Sequence, residues 1–124
     1  MRIATLHDAE PLFAPFFADA AEERVVAAHL GADLSLLEVT LEETGGREDV
    51  ALPIRGIAAS ALRLGAAAVI VAHNHPSGDP EPSGADKEAT RRLAEALKPL
   101  GVRLVDHLIF AAGACRSMAA QGLL

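Results

Sequence analysis

Apolar side chains recur at helical spacing in three segments of the chain, which predicts three helices. The segments are residues 8–23, 54–65 and 86–101. Asp8 is the predicted N-cap of the first helix, and Pro15 favours a kink or a break inside it. Gly65 follows the last apolar position of the second helix, where glycine commonly terminates helices. In the third, Lys98 lies near the end, where a positive charge favours the helix dipole.

Two further segments predict an antiparallel β-hairpin. Residues 25–30 and 35–43 flank the turn residues Gly-Ala-Asp. The second segment alternates apolar and polar positions, as a half-buried strand does. Residues 44–49, which are rich in glycine and charge, predict a loop after this hairpin.

The remaining apolar segments predict the interior of the sheet. Residues 66–72 are apolar throughout, which is typical of a central strand buried on both faces. Residues 102–113 predict one or two strands with a break near Asp106 and His107, and a short helix is expected after Ser117.

The predicted element order is α-β-β-α-β-α-β-β-α. It favours the α/β (α+β) class, as a three-layer α-β-α sandwich in which an antiparallel hairpin joins a parallel core to make a mixed central sheet. The apolar fraction of 51% is typical of a packed globular protein. Because 124 residues bury one core rather than two, we expect a single domain over residues 1–124.

Charge and cysteine usage narrow the function classes. The net charge of -6 disfavours a general nucleic-acid binder, although a local basic patch stays open. The single cysteine, Cys115, excludes an intrachain disulfide and a cysteine-rich zinc site, and we expect it to be a partly buried spectator. The sequence contains neither a recognisable signal peptide nor an apolar run of about 20 residues. We therefore expect a cytoplasmic protein that does not contact membranes; its oligomeric state stays open.

The segment HNHPSGDPEPSGAD, residues 73–86, follows the apolar run directly. His73 and His75 are two residues apart, so both rings point the same way in an extended segment and can reach one ion at about 2.0–2.1 Å. Asp86 could add a carboxylate oxygen. Three protein ligands leave one open position on a tetrahedral zinc ion, which is the catalytic arrangement. Ligand sites in such folds also lie beyond the carboxyl ends of strands.

The same segment also fits a simpler interpretation. Ser83 and Asp86 have the spacing of a capping box at the start of a helix, and the prolines and glycines between are ordinary loop formers. A helix cap explains Ser83 and Asp86 but not two histidines on one side of a strand end. From the residues alone, the helix cap and the metal site both stay open.

The motif resembles that of the JAMM metalloproteases (JAB/MPN domain): H-x-H, seven residues, Ser, two residues, Asp. It looks most like the bacterial RadC branch, whose loop reads almost identically, and the likeness covers at least residues 54–110. The resemblance implies a JAB/MPN architecture, similar to that of cytidine deaminases. It also implies one zinc ion per chain, bound by His73, His75 and Asp86.

The resemblance implies two catalytic roles as well. Ser83 would lie near the metal, where its hydroxyl helps to hold a developing oxyanion. The family needs a glutamate on an early strand as general base. Glu23 fits best and Glu22 is the near alternative, with Glu38 and Glu42 as weaker rivals. The expected activity is zinc-dependent hydrolysis of a peptide or isopeptide bond in an unidentified peptide or protein.

Two other functions stay open. One is a RadC-type accessory protein associated with DNA repair, against which stand the acidic charge and the lack of room for the helix-hairpin-helix segment that RadC-type chains usually carry. The other is a non-catalytic metal-binding interaction module.

Residues outside the motif receive smaller roles. We expect His107 to be a hydrogen-bonded structural histidine rather than a fourth ligand, and Asp106 is a candidate to hold a ligand imidazole. Asp79 is expected to be a turn residue. His7 and His29 have no partner at ligand spacing and are interpreted as spectators.

Overall fold

The structure is a computed structural model and describes residues 1–46 and 52–124. Eight helices and strands follow one another in the described residues: α1 (Leu6–Phe17), β1 (Glu23–Leu30), β2 (Leu36–Gly46), α2 (Ile54–Leu64), β3 (Ala68–Asn74), α3 (Gly84–Leu97), β4 (Arg103–Ala111) and β5 (Ala114–Ser117). A 3₁₀ turn, Lys98–Leu100, extends α3 before the chain enters β4.

The five strands form one mixed sheet in the order β2-β1-β3-β4-β5. β3 and β4 are parallel, whereas the other neighbouring pairs are antiparallel. Every residue of β3 is buried, because this central strand has a helical layer on each face. This arrangement confirms the predicted hairpin, the apolar central strand and the three-layer α-β-α sandwich.

Alternation along the strands divides the core between the two faces. Strand side chains of one parity face α1 and pack with Ile3 and Phe13: Val26, Ala28, Ile70, Ala72, Leu108 and Phe110. Strand side chains of the other parity face α2 and α3 and pack with Ile57, Ala61, Leu93 and Leu97: Val25, Ala27, Val69 and Val71. Val25 of β1 pairs with His73 of β3, so the α2/α3 face continues into the histidine segment.

The first helix differs from its predicted bounds. Its N-cap is Thr5, not Asp8, and Asp8 closes a capping box by accepting a hydrogen bond from the Thr5 amide at 3.1 Å. Pro15 lies inside one helix that ends at Phe17. Glu23, which the apolar pattern placed at the end of this helix, is the first residue of β1.

The C-terminal third also differs from the prediction. Residues 103–111 form one strand, which is one of the two predicted alternatives, and a local irregularity just before Asp106 leaves Val105 without a partner in the β3 register. A two-residue turn follows, in which Ala112 and Gly113 both have positive φ (50° and 79°), as in tight hairpins. This turn reverses the chain, which continues as β5. Turns occupy the position of the helix expected after Ser117.

Two other element boundaries differ from the predicted ones. β2 extends to Gly46, so half of the predicted loop at residues 44–49 is strand and the other half, residues 47–49, lies outside the described residues. α3 begins at Gly84, two residues before the predicted start, and Gly65 ends α2 as predicted. Of the helices described, none has the length and apolarity needed to cross a membrane.

Candidate metal centre

The last two residues of β3, His73 and Asn74, and His75 directly after them point alternately to the two faces of the sheet. His73 and His75 point toward the α2/α3 side and are 1% and 8% exposed. Asn74 points the other way, accepts a hydrogen bond from the Arg24 amide at 2.7 Å and donates one to the Glu22 carbonyl at 3.1 Å. The Asn74 side chain therefore fixes the backbone on both sides of Glu23 against the end of β3.

The loop after His75 returns the chain to the same place. Gly78, with φ of 95°, permits the turn, and its amide bonds the His75 carbonyl at 3.0 Å. Ser83 then starts α3 through the predicted capping box: its hydroxyl accepts from the Asp86 amide at 3.0 Å, and the Asp86 carboxylate accepts from the Ser83 amide at 2.8 Å. The cap orients Asp86 toward the histidines.

Three potential ligand atoms converge there. The Nε2 atoms of His73 and His75 are 3.0 Å apart. Asp86 places Oδ1 at 3.2 Å from the first and Oδ2 at 3.0 Å from the second. One ligand atom from each residue lies within 4.8 Å of the others, and all three residues are buried, so the group could hold a metal ion.

The electrostatics favour a cation at this point. The hydrogen bond to Asp86 raises the pKa of His75 to about 9 in spite of burial. Burial alone would raise the pKa of Asp86, but the hydrogen bonds from the two imidazoles hold it far below its usual range. Asp86 is therefore ionised across the physiological pH range, and a buried carboxylate beside two imidazole nitrogens attracts a metal ion for the same reason that it attracts a proton.

The other ring nitrogen of each imidazole, Nδ1, also has a hydrogen-bond partner. His75 Nδ1 donates to the Asp79 carbonyl at 2.7 Å, so Nε2 is the ring nitrogen that remains for a metal ion. Asp79 is also a turn residue, as predicted, because its carboxylate accepts from the Glu81 amide. His73 Nδ1 lies 2.6 Å from Nε2 of His107.

His107 is a hydrogen-bonded buried histidine, as predicted, and is fully inaccessible. Burial lowers its pKa well below the ordinary value. The hypothesis that Asp106 holds a ligand imidazole is wrong: its carboxylate accepts hydrogen bonds from the Ser117 hydroxyl and the Ala119 amide and so stabilises the C-terminal turns. The reason is alternation, because neighbouring residues of β4 face opposite sides of the sheet.

Comparison with known proteins assigns this chain to a family. The chain matches the family model of the RadC-like JAB domain over residues 3–123. It belongs to the RadC-like JAB domain family. It is 43% identical over 102 residues to the UPF0758 protein BAV2405 of Bordetella avium, an alignment that covers 82% of the chain and 45% of that protein. With the UPF0758 protein of Salinibacter ruber it is 38% identical over 125 residues, which cover 100% of the chain and 53% of the relative. The chain thus spans about half the length of the curated relatives it matches.

This RadC-like JAB domain places Glu23 beside the histidines. Glu23 lies two residues before Val25, the partner of His73, and therefore on the same face of the sheet. It is 8% exposed, and its charge contributes to the raised pKa of His75. Glu22 is exposed.

The two weaker rivals of Glu23 are engaged elsewhere. Glu38 pairs with Arg63 at the surface, and Glu42 accepts a hydrogen bond from Ser60. The role of Glu23 as general base stays a prediction, but it is the candidate that lies near the ligands.

Two other residues of the RadC-like JAB domain were interpreted as spectators. Cys115 is half-buried, and burial raises the pKa of its thiol to about 12, which leaves it unreactive near neutral pH. His29 is buried away from the ligands, and its Nε2 lies 2.9 Å from the Thr40 hydroxyl. It is therefore a structural residue, which its position in an apolar segment did not indicate.

Asn74 and Thr90 are the residues at the site that the sequence did not single out. Asn74 stands between the two histidines of the motif, and strand alternation already implies that it faces the opposite layer. Thr90 follows Asp86 by four residues, so the helical repeat places both on one side of α3. Their partners come from distant segments and could not be read from the motif.

Proposed function

We propose that this domain is a zinc-dependent hydrolase of the JAMM type that cleaves a peptide or isopeptide bond. The observation that carries the proposal is the convergence of three buried ligand atoms from His73, His75 and Asp86 at the carboxyl end of β3. Membership of the RadC-like JAB domain family supports the reaction class. The identity of the ion, the reaction and the residue roles below belong to this proposal.

The donor set fits zinc. Two imidazole nitrogens and one carboxylate oxygen are common ligands of catalytic zinc, and ligand atoms about 2.0–2.1 Å from a tetrahedral ion lie roughly 3.3 Å from one another. The two Nε2 atoms are 3.0 Å apart, and Asp86 approaches them with different oxygens, Oδ1 at 3.2 Å from His73 Nε2 and Oδ2 at 3.0 Å from His75 Nε2. The protein thus holds its ligands close to the spacing that one zinc ion requires.

The residues around the ligands supply the rest of the chemistry. A zinc ion bound there would provide Lewis acidity, which makes water a nucleophile near neutral pH and polarises a carbonyl group. Glu23 accepts the proton of the attacking water and passes it to the leaving amine. The Ser83 hydroxyl accepts a bond from the Asp86 amide, so its own hydrogen is available to the developing oxyanion.

A cavity of about 250 Å³ adjoins one of the candidate ligands and offers a substrate a path to it. Its lining includes His75, Asp79 and Ser83. A second cavity of about 430 Å³ lies on the α1 side of the same loop, where Phe17, Phe110 and several alanines give it an apolar wall. Both open next to the residues that would perform the reaction.

Metal content tests the centre directly. Protein purified without chelators is expected to contain one equivalent of zinc by elemental analysis, and His73→Ala is expected to lose it. Leu100→Ala, an exposed change far from the ligands in the sequence, is the control and should retain zinc. Wild-type protein that contains no metal and takes up none on titration would contradict the proposal.

Hydrolysis tests the reaction. Cleavage of a quenched-fluorescent peptide library and of lysine-linked isopeptides is expected to fall by about 10²–10⁴ in Glu23→Gln, with zinc retained, because a general base contributes that much. Glu22→Gln is the matched control and should cleave normally, since its side chain is exposed. A zinc-loaded protein that cleaves neither probe would contradict the hydrolase and favour a metal-binding interaction module.

A further inference from the structure

Behind the proposed metal centre, three short contacts join four buried residues. His73 Nδ1 lies 2.6 Å from His107 Nε2, and His107 Nδ1 lies 2.6 Å from the Thr90 hydroxyl. Thr90 Oγ1 in turn lies 2.6 Å from the backbone carbonyl of Asp86. The contacts thus run from one candidate ligand to another through two residues that bind no metal.

We infer that Thr90 and His107 are positioning residues that fix His73 with its hydrogen on Nδ1, so that Nε2 presents its electron pair to the metal. The inference rests on the proposed metal centre for its purpose. The direction of each hydrogen bond, however, follows from the contacts and from the burial of His107, without reference to a metal.

Thr90 determines which groups donate in these hydrogen bonds. The Asp86 carbonyl oxygen has no hydrogen, so a 2.6 Å contact requires the Thr90 hydroxyl to donate. The sulfur of Met118, 3.5 Å away, is a weaker and more distant acceptor. Since a hydroxyl has one hydrogen, its contact with His107 must have Nδ1–H of His107 as donor.

His107 in turn determines which atom donates in its hydrogen bond with His73. A fully buried imidazole is disfavoured as a cation, and a neutral ring has one hydrogen. With that hydrogen on Nδ1, Nε2 of His107 can only accept, so His73 Nδ1 donates. With Nδ1 bonded to His107, Nε2 is the nitrogen of His73 that remains for a metal ion, and it lies 3.0 Å from His75 Nε2 and 3.2 Å from Asp86 Oδ1.

The opposite tautomer would be incompatible with a metal ligand at Nε2. Were the hydrogen on Nε2 of His73, an N–H would point at the ion and the nitrogen could not coordinate it. Partners that orient ligand imidazoles typically change metal affinity by about 10–100-fold when they are removed. Because Thr90 is also on α3, the same bonds hold the helix that bears Asp86 against the strand that bears His73.

A matched pair of variants isolates the hydroxyl. Thr90→Val keeps the shape of the buried side chain but cannot bond His107 or the Asp86 carbonyl. Thr90→Ser retains the hydroxyl and should behave as wild type.

Long-range ¹H–¹⁵N NMR of metal-free protein at pH 8 reports which ring nitrogen of His107 holds the hydrogen. We expect Nδ1 in wild type and Thr90→Ser, and a shift toward Nε2 in Thr90→Val. A hydrogen on Nε2 in wild type overturns the inference, whether or not the variants fold.

Zinc affinity, measured by competition with a chromophoric chelator, supplies the second measurement. We expect Thr90→Val to bind zinc about 10–100-fold more weakly than Thr90→Ser. Equal affinities in the two variants would overturn the positioning role. Wild-type protein that binds no zinc while His107 holds its hydrogen on Nδ1 would instead reject the metal centre and support the derived bond directions, so the two failures are distinguishable.

Discussion

At the scale of single residues, Asp86 makes two sets of contacts at once. It exchanges hydrogen bonds with Ser83 to start α3, and its carboxylate oxygens approach the Nε2 atoms of both histidines. A carboxylate has enough acceptor positions for both, since each oxygen offers two electron pairs. The helix cap and the candidate metal site, which the sequence left as alternatives, are therefore compatible and share Asp86.

Ser83→Ala separates the two uses of the Ser83 hydroxyl. Loss of the cap is expected to lower the free energy of unfolding by about 1 kcal/mol, measured by urea denaturation of metal-free protein. Peptide cleavage should also fall if the hydroxyl supports the oxyanion. Ser83→Thr retains a hydroxyl and is the control for both measurements. An alanine variant that is less stable but cleaves at the wild-type rate would reject the oxyanion role alone.

At the scale of elements, the junction between α2 and β3 determines where the histidines lie. Gly65 adopts φ of 66° and its amide bonds the carbonyls of Ala61 and Leu62, which ends the helix. The chain enters β3 three residues later, so the strand reaches His73 with a fixed register against β1. A glycine at this position is required because other residues are strained in the left-handed region.

Gly65→Ala is expected to destabilise the protein by about 1 kcal/mol through that backbone strain. Gly84→Ala is the matched control, since both sites leave open space for a methyl group but Gly84 has no positive φ. It should leave stability unchanged or raise it slightly, because alanine favours helices. The two free energies of unfolding come from urea denaturation. Equal values would contradict the strain argument.

At the scale of the whole molecule, two separate buried polar groups lie on the α2/α3 face of the sheet among the residues that the structure describes. One is the candidate metal centre. The other surrounds His29, whose Nε2 lies 4.0 Å from a carboxylate oxygen of Glu42, and Ser60 of α2 donates to the same oxygen at 2.8 Å. Burial lowers the pKa of His29 below 6.5, although Glu42 opposes this. The folded protein thus holds a neutral histidine that becomes charged when the chain unfolds in acid.

This burial predicts acid sensitivity. Below about pH 6.5 the unfolded chain binds a proton at His29 that the folded state binds poorly, so the free energy of unfolding should fall as pH falls from 7 to 5. His29→Gln should reduce that slope by at most about 1.4 kcal/mol per pH unit. The measurement is urea denaturation of metal-free protein across this range. His7→Gln, at an exposed site, should retain the full slope; an equal reduction in both variants would contradict the prediction.

The sequence by itself determined the candidate ligand set and most of the architecture, because both depend on local spacing. The H-x-H pattern on an apolar strand and the Ser-x-x-Asp cap on a periodic helix each act within a few residues. The predicted hairpin and the layered sandwich followed from the periods of strands and helices in the same way.

Only the tertiary structure decided what depends on pairing between distant segments. The burial of Glu23 beside His75 needs the register of β1 against β3, and the contact between His73 and His107 needs that of β4. Asp106 does not contact the candidate ligands because its side chain lies on the opposite face of the sheet. β5 was missed because a four-residue strand has too short a pattern, and its partner β4 is what stabilises it. Local spacing defines which groups can bind a metal, whereas long-range packing defines which groups orient and assist them.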